Sequence, residues 1–259
     1  MKFASLGSGS EGNALLIAAA SSRNAVMLDC GFSLRETELR LARLGLAPGD
    51  LSGIVVTHEH SDHVGGAFKL ARRYRLPVWL TYGTFAAVQA QAHAVDIHFC
   101  QDGNAITIGD LELHPYTVPH DAREPVQYVA TDGKSRLGVL TDAGHATAHM
   151  ITALHGCDAL VLECNHDRQL LQDSVYPPSL KHRIGGAYGH LSNTSSTQIL
   201  HEIDKNRLKL VVGAHLSQQN NTAALARTAL ADGLGGTAAR IEIACQSNGF
   251  GWIDINDCD

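Results

Sequence analysis

The run His58-Glu59-His60-Ser61-Asp62-His63 places four metal-ligating side chains in six positions, directly after the apolar triplet Ile54-Val55-Val56. A short apolar run rich in β-branched residues reads as a buried strand, so the ligands gather at a strand end. In an extended segment alternate side chains share a face, which lets His58 and His60 serve one ion. Asp62 and His63 then fall at the start of a helix and point elsewhere, which suits a second ion beside the first. Neutral imidazoles and ionised carboxylates meet the need for unprotonated ligands near pH 7. A lone histidine is ordinarily a core or surface residue, whereas this density of ligands has no comparable structural explanation. Glu59 and Ser61 read as spacers.

The rest of the chain alternates. Strand-like segments are expected at 2–6, 14–18, 25–28, 54–56, 78–81, 105–108, 111–116, 126–131, 136–141, 159–163, 208–213, 241–244 and 251–255. Amphipathic or helix-forming stretches fall at 34–44, 64–74, 84–92, 147–154, 195–203 and 223–231. Gly7-Ser8-Gly9-Ser10-Glu11-Gly12-Asn13 and Ser21-Ser22-Arg23-Asn24 supply turn chemistry between the first strands. Strands interleaved with helices define an α/β class, and without a linker-like stretch residues 1–259 are expected to form one domain. Each half should give a sheet covered by helices, with the site where the two sheets meet.

Composition narrows the function. A formal charge of −6 and a pI near 6.2 argue against a general electrostatic nucleic-acid binder, though not against an enzyme whose metals hold phosphate. Basic segments are local, at Lys69–Arg75 and at Lys181-His182-Arg183, and the first reads as a solvated helix face. Cysteines 30, 100, 157, 164, 245 and 258 form no C-x-x-C pair, which suggests reduced thiols in a cytoplasm. Ala14–Ala20 is apolar but poorly flanked for a signal peptide and reads better as a strand. No stretch reaches the roughly 18 apolar residues of a membrane span.

The His-x-His-x-Asp-His run after a strand resembles the mark of the metallo-β-lactamase superfold, which implies a four-layer αββα sandwich of that type and two divalent ions. That resemblance assigns further roles at strand ends. Asp29, after Val26-Met27-Leu28, matches an aspartate that orients a metal-bound histidine. His120 in Thr117-Val118-Pro119-His120-Asp121 matches the third histidine of the first metal. Asp142, after Gly138-Val139-Leu140-Thr141, matches the carboxylate that bridges both ions, and His215 in Gly213-Ala214-His215-Leu216-Ser217 the last histidine of the second. The implied sets are His58, His60 and His120 on one ion and Asp62, His63 and His215 on the other, with Asp142 and a hydroxide between. His93, His98, His114, His149, His155, His182 and His201 lack such context and read as surface or core residues.

Leu6–Asn13, Pro119–Val126, Gly189-His190-Leu191-Ser192-Asn193 and His215–Asn221 are similar to motifs of the YycJ/WalJ-type branch, which is regarded as exonuclease-like phosphodiesterases acting on DNA. Transfer-RNA 3′-processing endonucleases offer a parallel in which a strand-end glutamate orients a histidine that assists the leaving group. Glu163, after Leu160-Val161-Leu162, and His190 fit those places, so the catalytic trio implied is Asp62, Glu163 and His190. Only 22 positions separate His120 from Asp142 and 48 separate Asp142 from His190, which leaves no room for the large insertions of some relatives. Histidine and carboxylate ligands suit Zn²⁺ first, with Mn²⁺ and iron also compatible. Two alternatives stand beside a nuclease: a thioester or lactone hydrolase, which should favour an apolar groove and no role for Glu163 or His190, and a non-catalytic metal-binding module. The Gly/Ser loop at 7–13 reads either as a phosphate cradle or as a hairpin turn.

Overall fold

The computed structural model describes residues 1–20, 22 and 24–258; of the turn expected at 21–24, Ser21 and Arg23 lie outside the described residues. In chain order the strands are β1 Lys2–Gly7, β2 Ala14–Ala18, β3 Ala25–Leu28, β4 Leu51–Val55, β5 Val78–Leu80, β6 Ile97–Phe99, β7 Ile106–Ile108, β8 Leu111–Thr117, β9 Val126–Thr131, β10 Arg136–Leu140, β11 Ala159–Glu163, β12 Leu210–Ala214, β13 Arg240–Ile243 and β14 Phe250–Asp254. The helices are α1 Leu34–Arg43, α2 Ser61–Val64, α3 Ala67–Tyr74, α4 Tyr82–Val88, α5 Ala148–Leu154, α6 Arg168–Asp173, α7 Pro178–Ile184, α8 Asn193–Glu202 and α9 Ala223–Leu234.

Two seven-stranded mixed sheets result, in the orders β14-β1-β2-β3-β4-β5-β6 and β13-β12-β11-β10-β9-β8-β7. The period-two pattern of the strands explains the layering. In β2, Leu15 and Ile17 enter the core between the sheets, while Ala14, Leu16 and Ala18 enter the core under α1 and α3. Likewise Ala159 and Val161 of β11 face inward between the sheets, whereas Leu160 and Leu162 pack beneath α5, α8 and α9. Strands buried on both faces read as continuous apolar runs. Three stacked cores therefore separate four layers, helices outside and sheets inside, and each fully buried Leu, Ile or Val contributes about 1.5–3 kcal/mol.

The halves of the chain are not cleanly partitioned, because β14 returns to pair antiparallel with β1, Lys2 opposite Asp254. Nor is 64–74 one helix: it breaks at Gly65-Gly66 into α2 and α3. The Gly66 amide donates to the Cys30 carbonyl at 2.7 Å, and a Cβ at Gly66 would stand 1.9 Å from the Phe32 carbonyl oxygen. This close approach ties the metal-motif helix to the loop after β3. Helices α6 and α7, which the sequence pattern did not reveal, fill 168–184. No helix of the described residues is long and apolar enough to cross a membrane.

Replacing Gly66 with Ala should cost about 1–3 kcal/mol, the usual range for overpacking. Gly49→Ala, where nothing lies within 4 Å, should stay within about 0.5 kcal/mol. Denaturant unfolding of the two variants checks this, and equal effects would show that the backbone approach at Gly66 is not tight.

Candidate metal centre

Six of the side chains singled out by the sequence sit at or just beyond the C-terminal end of a strand: Asp29 after β3, His58 after β4, His120 after β8, Asp142 after β10, Glu163 closing β11 and His215 after β12, while His190 lies in the loop between α7 and α8. His60 caps α2, which carries Asp62 and His63. Strand ends on one side of both sheets thus converge on one cleft.

His58 Nε2 lies 3.1 Å from His60 Nδ1, and His120 Nε2 lies 3.2 Å from the same atom. Three nitrogens facing one another so closely cannot all be satisfied by shared protons. Nitrogens bound at about 2.0–2.1 Å to one tetrahedral ion stand roughly 3.3 Å apart, so the donor set fits a metal. In the neighbouring set, Asp62 Oδ2 lies 3.5 Å from His63 Nε2 and 3.6 Å from His215 Nε2. Asp142 stands between, its Oδ2 3.0 Å from His63 Nε2, and its carboxylate also groups with His58 and with His215. Among the described residues, Asp142 Oδ2 and His215 Nε2 are buried and, despite these close approaches, make no hydrogen bond of good geometry. Such polar atoms facing one another without aligned partners are what a cation between them would satisfy.

Other groups hold these side chains from behind. Asp29 Oδ2 accepts from His63 Nδ1 at 2.7 Å, while Asp29 Oδ1 accepts from the Thr57 amide at 2.8 Å. The Thr57 hydroxyl lies 2.9 Å from His58 Nδ1, so Asp29 orients one histidine directly and another through Thr57. His120 Nδ1 donates to the Gly189 carbonyl at 3.0 Å. Asn165 Nδ2 donates to the His215 carbonyl at 3.0 Å, and the His215 amide donates to Ser8 Oγ at 2.9 Å. The Gly/Ser loop is a scaffold rather than a phosphate cradle, since the amides of Ser8, Gly9, Glu11, Gly12 and Asn13 are all spent within the protein. Glu59 is more than a spacer: its Oε1 accepts from the Arg123 amide at 2.8 Å and so anchors the loop that carries His120. Thr57 and Asn165 went unnoticed in the sequence, and Glu59 was read as a spacer, because single polar residues carry no periodic or spacing signal.

Glu163, fully buried, places Oε1 at 2.8 Å from His190 Nδ1 and 3.3 Å from His215 Nδ1. Its Oε2 accepts from the amides of Ala143 and Leu191 at 3.0 and 3.1 Å. His190 Nδ1 also lies 3.3 Å from Asp142 Oδ1, leaving Nε2 as the atom this histidine can offer to the cleft. The cleft has a volume of about 330 Å³ and is walled by Ser10, Ser61, Asn165, Tyr176, Arg183 and His190 besides the metal-motif residues.

Residues 24–212 match the family described as the beta-lactamase superfamily domain. The sequence is 36% identical over 230 residues to exodeoxyribonuclease YycJ of Bacillus anthracis, covering 88% of this chain and 86% of that protein. It is 31% identical over 238 residues to exodeoxyribonuclease WalJ of Streptococcus pneumoniae, covering 90% and 88%. The chain belongs to the metallo-β-lactamase superfamily, in its YycJ/WalJ branch. The fold agrees with Zn²⁺-bound PqqB from Methylobacterium extorquens, with a TM-score of 0.77 at 16% identity over 98% of this chain and all of that one. A member of this branch is a hydrolase with a divalent-metal centre, and the αββα layering above is the fold of the superfamily.

The two donor sets differ electrostatically. Burial pushes His58 well down, with His63 adding to it, and burial likewise lowers His120, so both stay neutral at pH 7. Burial opposes charge on His63 and His215 too, but Asp142 and Asp29 hold His63 well above its ordinary value. Asp142, Asp62 and Glu163 raise His215 to about 10. Burial also works against the carboxylates, yet the surrounding histidines keep Asp62 and Asp142 ionised and hold Glu163 at about 2.

Metal loading of the stripped protein should therefore be stepwise. His58 and His120, held neutral, should take an ion without releasing protons of their own. A second ion at Asp62, His63 and His215 would have to displace the protons held on His63 and His215, so its affinity should rise with pH. Calorimetric titration in buffers of different ionisation enthalpy measures both numbers. Equal proton release in the two steps, or a single step, would contradict this division.

Proposed function

We propose that residues 1–259 work as one dinuclear-metal phosphodiesterase that degrades DNA from an end. His58, His60 and His120 hold one ion and Asp62, His63 and His215 the other, with Asp142 shared and Asp29 behind His63. Zn²⁺ suits so imidazole-rich a set best, while Mn²⁺ and iron remain compatible with its carboxylates. Such ions lower the pKa of water and neutralise charge developing on phosphoryl oxygens. The six free thiols fit a reducing cytoplasm.

The observation that carries the proposal is the Glu163–His190 pair at 2.8 Å on the wall of the metal cleft. With Glu163 accepting at Nδ1, the ring presents Nε2 to the cleft, where a proton on it can pass to a departing alkoxide. An alkoxide leaves a phosphodiester with difficulty unless a proton meets it, whereas the thiolate of a thioester needs none. The cleft walls are hydroxyl, amide and charged groups rather than the apolar groove a thioester or lactone would favour. Arg183, whose Nε donates to Asp121 Oδ2 at 2.6 Å, has further N–H groups with which to meet a phosphoryl oxygen. The exodeoxyribonuclease relatives support DNA as the polymer.

His190→Ala should keep its metal content and slow hydrolysis of an oligodeoxynucleotide by about 10²–10⁴-fold, the range of a general acid. A bis(nitrophenyl) phosphate, whose leaving group needs no proton, should suffer far less. Equal losses on the two substrates, or loss of metal, would assign this histidine another role.

A further inference from the structure

A second pocket of about 540 Å³ opens on the other side of His190, between α6, α7 and the start of α8. That volume lies within the roughly 300–1,000 Å³ of small-molecule sites. His190 is shared by both cavities, so a group leaving toward this histidine departs into the second one. Resting on the phosphodiesterase reading above, we propose that this pocket is a phosphate subsite for the departing nucleotide, holding the phosphate next to the one that is cut.

Charge carries the proposal first. Arg168, Lys181 and His182 line the pocket, and among the described residues no Asp or Glu does. Arg168 Nε donates to Ser192 Oγ at 3.1 Å and Lys181 Nζ to the Gln172 carbonyl at 2.6 Å, so both cations are positioned by neutral acceptors. Among the described residues neither meets a carboxylate, whereas Arg40, Arg183, Arg207 and Arg240 each pair with one. In a chain of net charge −6, two cations left unneutralised in one concavity make a local attraction for an anion.

A buried group offers a contact to the rest of the nucleotide. His166 is 3% exposed and lines this pocket, with its Nδ1 3.4 Å from Asn165 Oδ1. With Nδ1 donating to Asn165 Oδ1, the other ring nitrogen has no partner among the described residues and is an acceptor, suited to a sugar hydroxyl or a base N–H of the same nucleotide rather than to its phosphate. Leu171 and Pro178 add an apolar wall on which a base can rest. His182, which the sequence pattern assigned to surface or core, lies in the same lining.

The phosphate can be a terminal monoester or an internal diester, and one experiment separates them. Tetrathymidylates carrying a 5′-phosphate, a 3′-phosphate or neither are compared on the metal-loaded wild type and on an Arg168→Gln/Lys181→Gln double variant. The variant should raise KM about tenfold or more, as removal of charge-assisted hydrogen bonds to phosphate does. The logarithmic salt dependence of KM should become shallower by about one for each cation–phosphate pair removed. Metal content should be unchanged, and Arg168→Lys/Lys181→Arg should recover most of the KM. A loss confined to one phosphorylated substrate identifies a terminal monoester, and an equal loss on all three identifies an internal diester. Unchanged KM and salt slope on every substrate would overturn the subsite while leaving the hydrolase intact. If the wild type cleaves none of them, the phosphodiesterase reading fails. The pocket is then judged by binding of the 5′-phosphorylated probe, which must be about tenfold weaker in the double variant for the subsite to stand.

Discussion

The burial of the Asp142 carboxylate is the constraint on which the rest of the molecule depends. It is 2% exposed, approaches His63, His190 and His215, and leaves one oxygen without a hydrogen bond of good geometry among the described residues. A carboxylate taken out of water is stable only when charge of opposite sign surrounds it. The fold supplies that charge by converging strand ends from both sheets, and no single sheet could provide it. Asp142 itself has φ 55°, and the two other strand-end residues Asp29 and His215 have φ 61° and 54°. Left-handed backbone costs a non-glycine residue roughly 1–3 kcal/mol. Three such turns at one site mean that the three cores, which bury both faces of these strands, hold the backbone where unconstrained chain would relax.

Glu163 transmits that constraint. One of its oxygens faces His190 and His215, while the other accepts from the amides of Ala143 and Leu191. A single buried carboxylate therefore fixes a ring of the metal set, the ring beside it, and the loops after β10 and before α8. Glycines permit the tight seams: a Cβ at Gly144 would lie 2.2 Å from the Ala187 carbonyl, and one at Gly189 2.2 Å from that of Arg183. The loop that carries His190 can approach the metal cleft only because both positions lack a side chain.

Much of this was legible in the sequence, and the reasons are physical. Strands buried on both faces leave continuous apolar runs, so 14–18, 25–28, 126–131 and 159–163 read with their observed bounds. The ligand motif was legible because four donors in six positions have no structural explanation. The helix at 64–74 misled because the amphipathic pattern continues across Gly65-Gly66, while the Gly66 amide is drawn out of the helix by the Cys30 carbonyl, remote in sequence. Helices α6 and α7 escaped because they are short and the Pro177-Pro178 pair at the start of α7 reads as a break. The return of β14 to β1 left no local trace, since strand partners are chosen by packing rather than by sequence neighbourhood.

Net charge bears on how such a site meets a polyanion. A chain at −6 repels nucleic acid over most of its surface, and screening confines any attraction to about 8–10 Å from a cation. Arg183 at the metal cleft and Arg168 with Lys181 beyond His190 put local attraction on the two sides of one histidine. Sliding along duplex DNA relies on many backbone contacts in series. A surface on which 26 acidic residues outnumber 20 basic ones is poorly suited to hold a long duplex that way, whereas on the proposed reading these cations would hold adjacent phosphates across the cleft. If the proposed phosphodiesterase reading holds, that arrangement would favour a strand short or loose enough to thread past His190, as an enzyme working from an end requires.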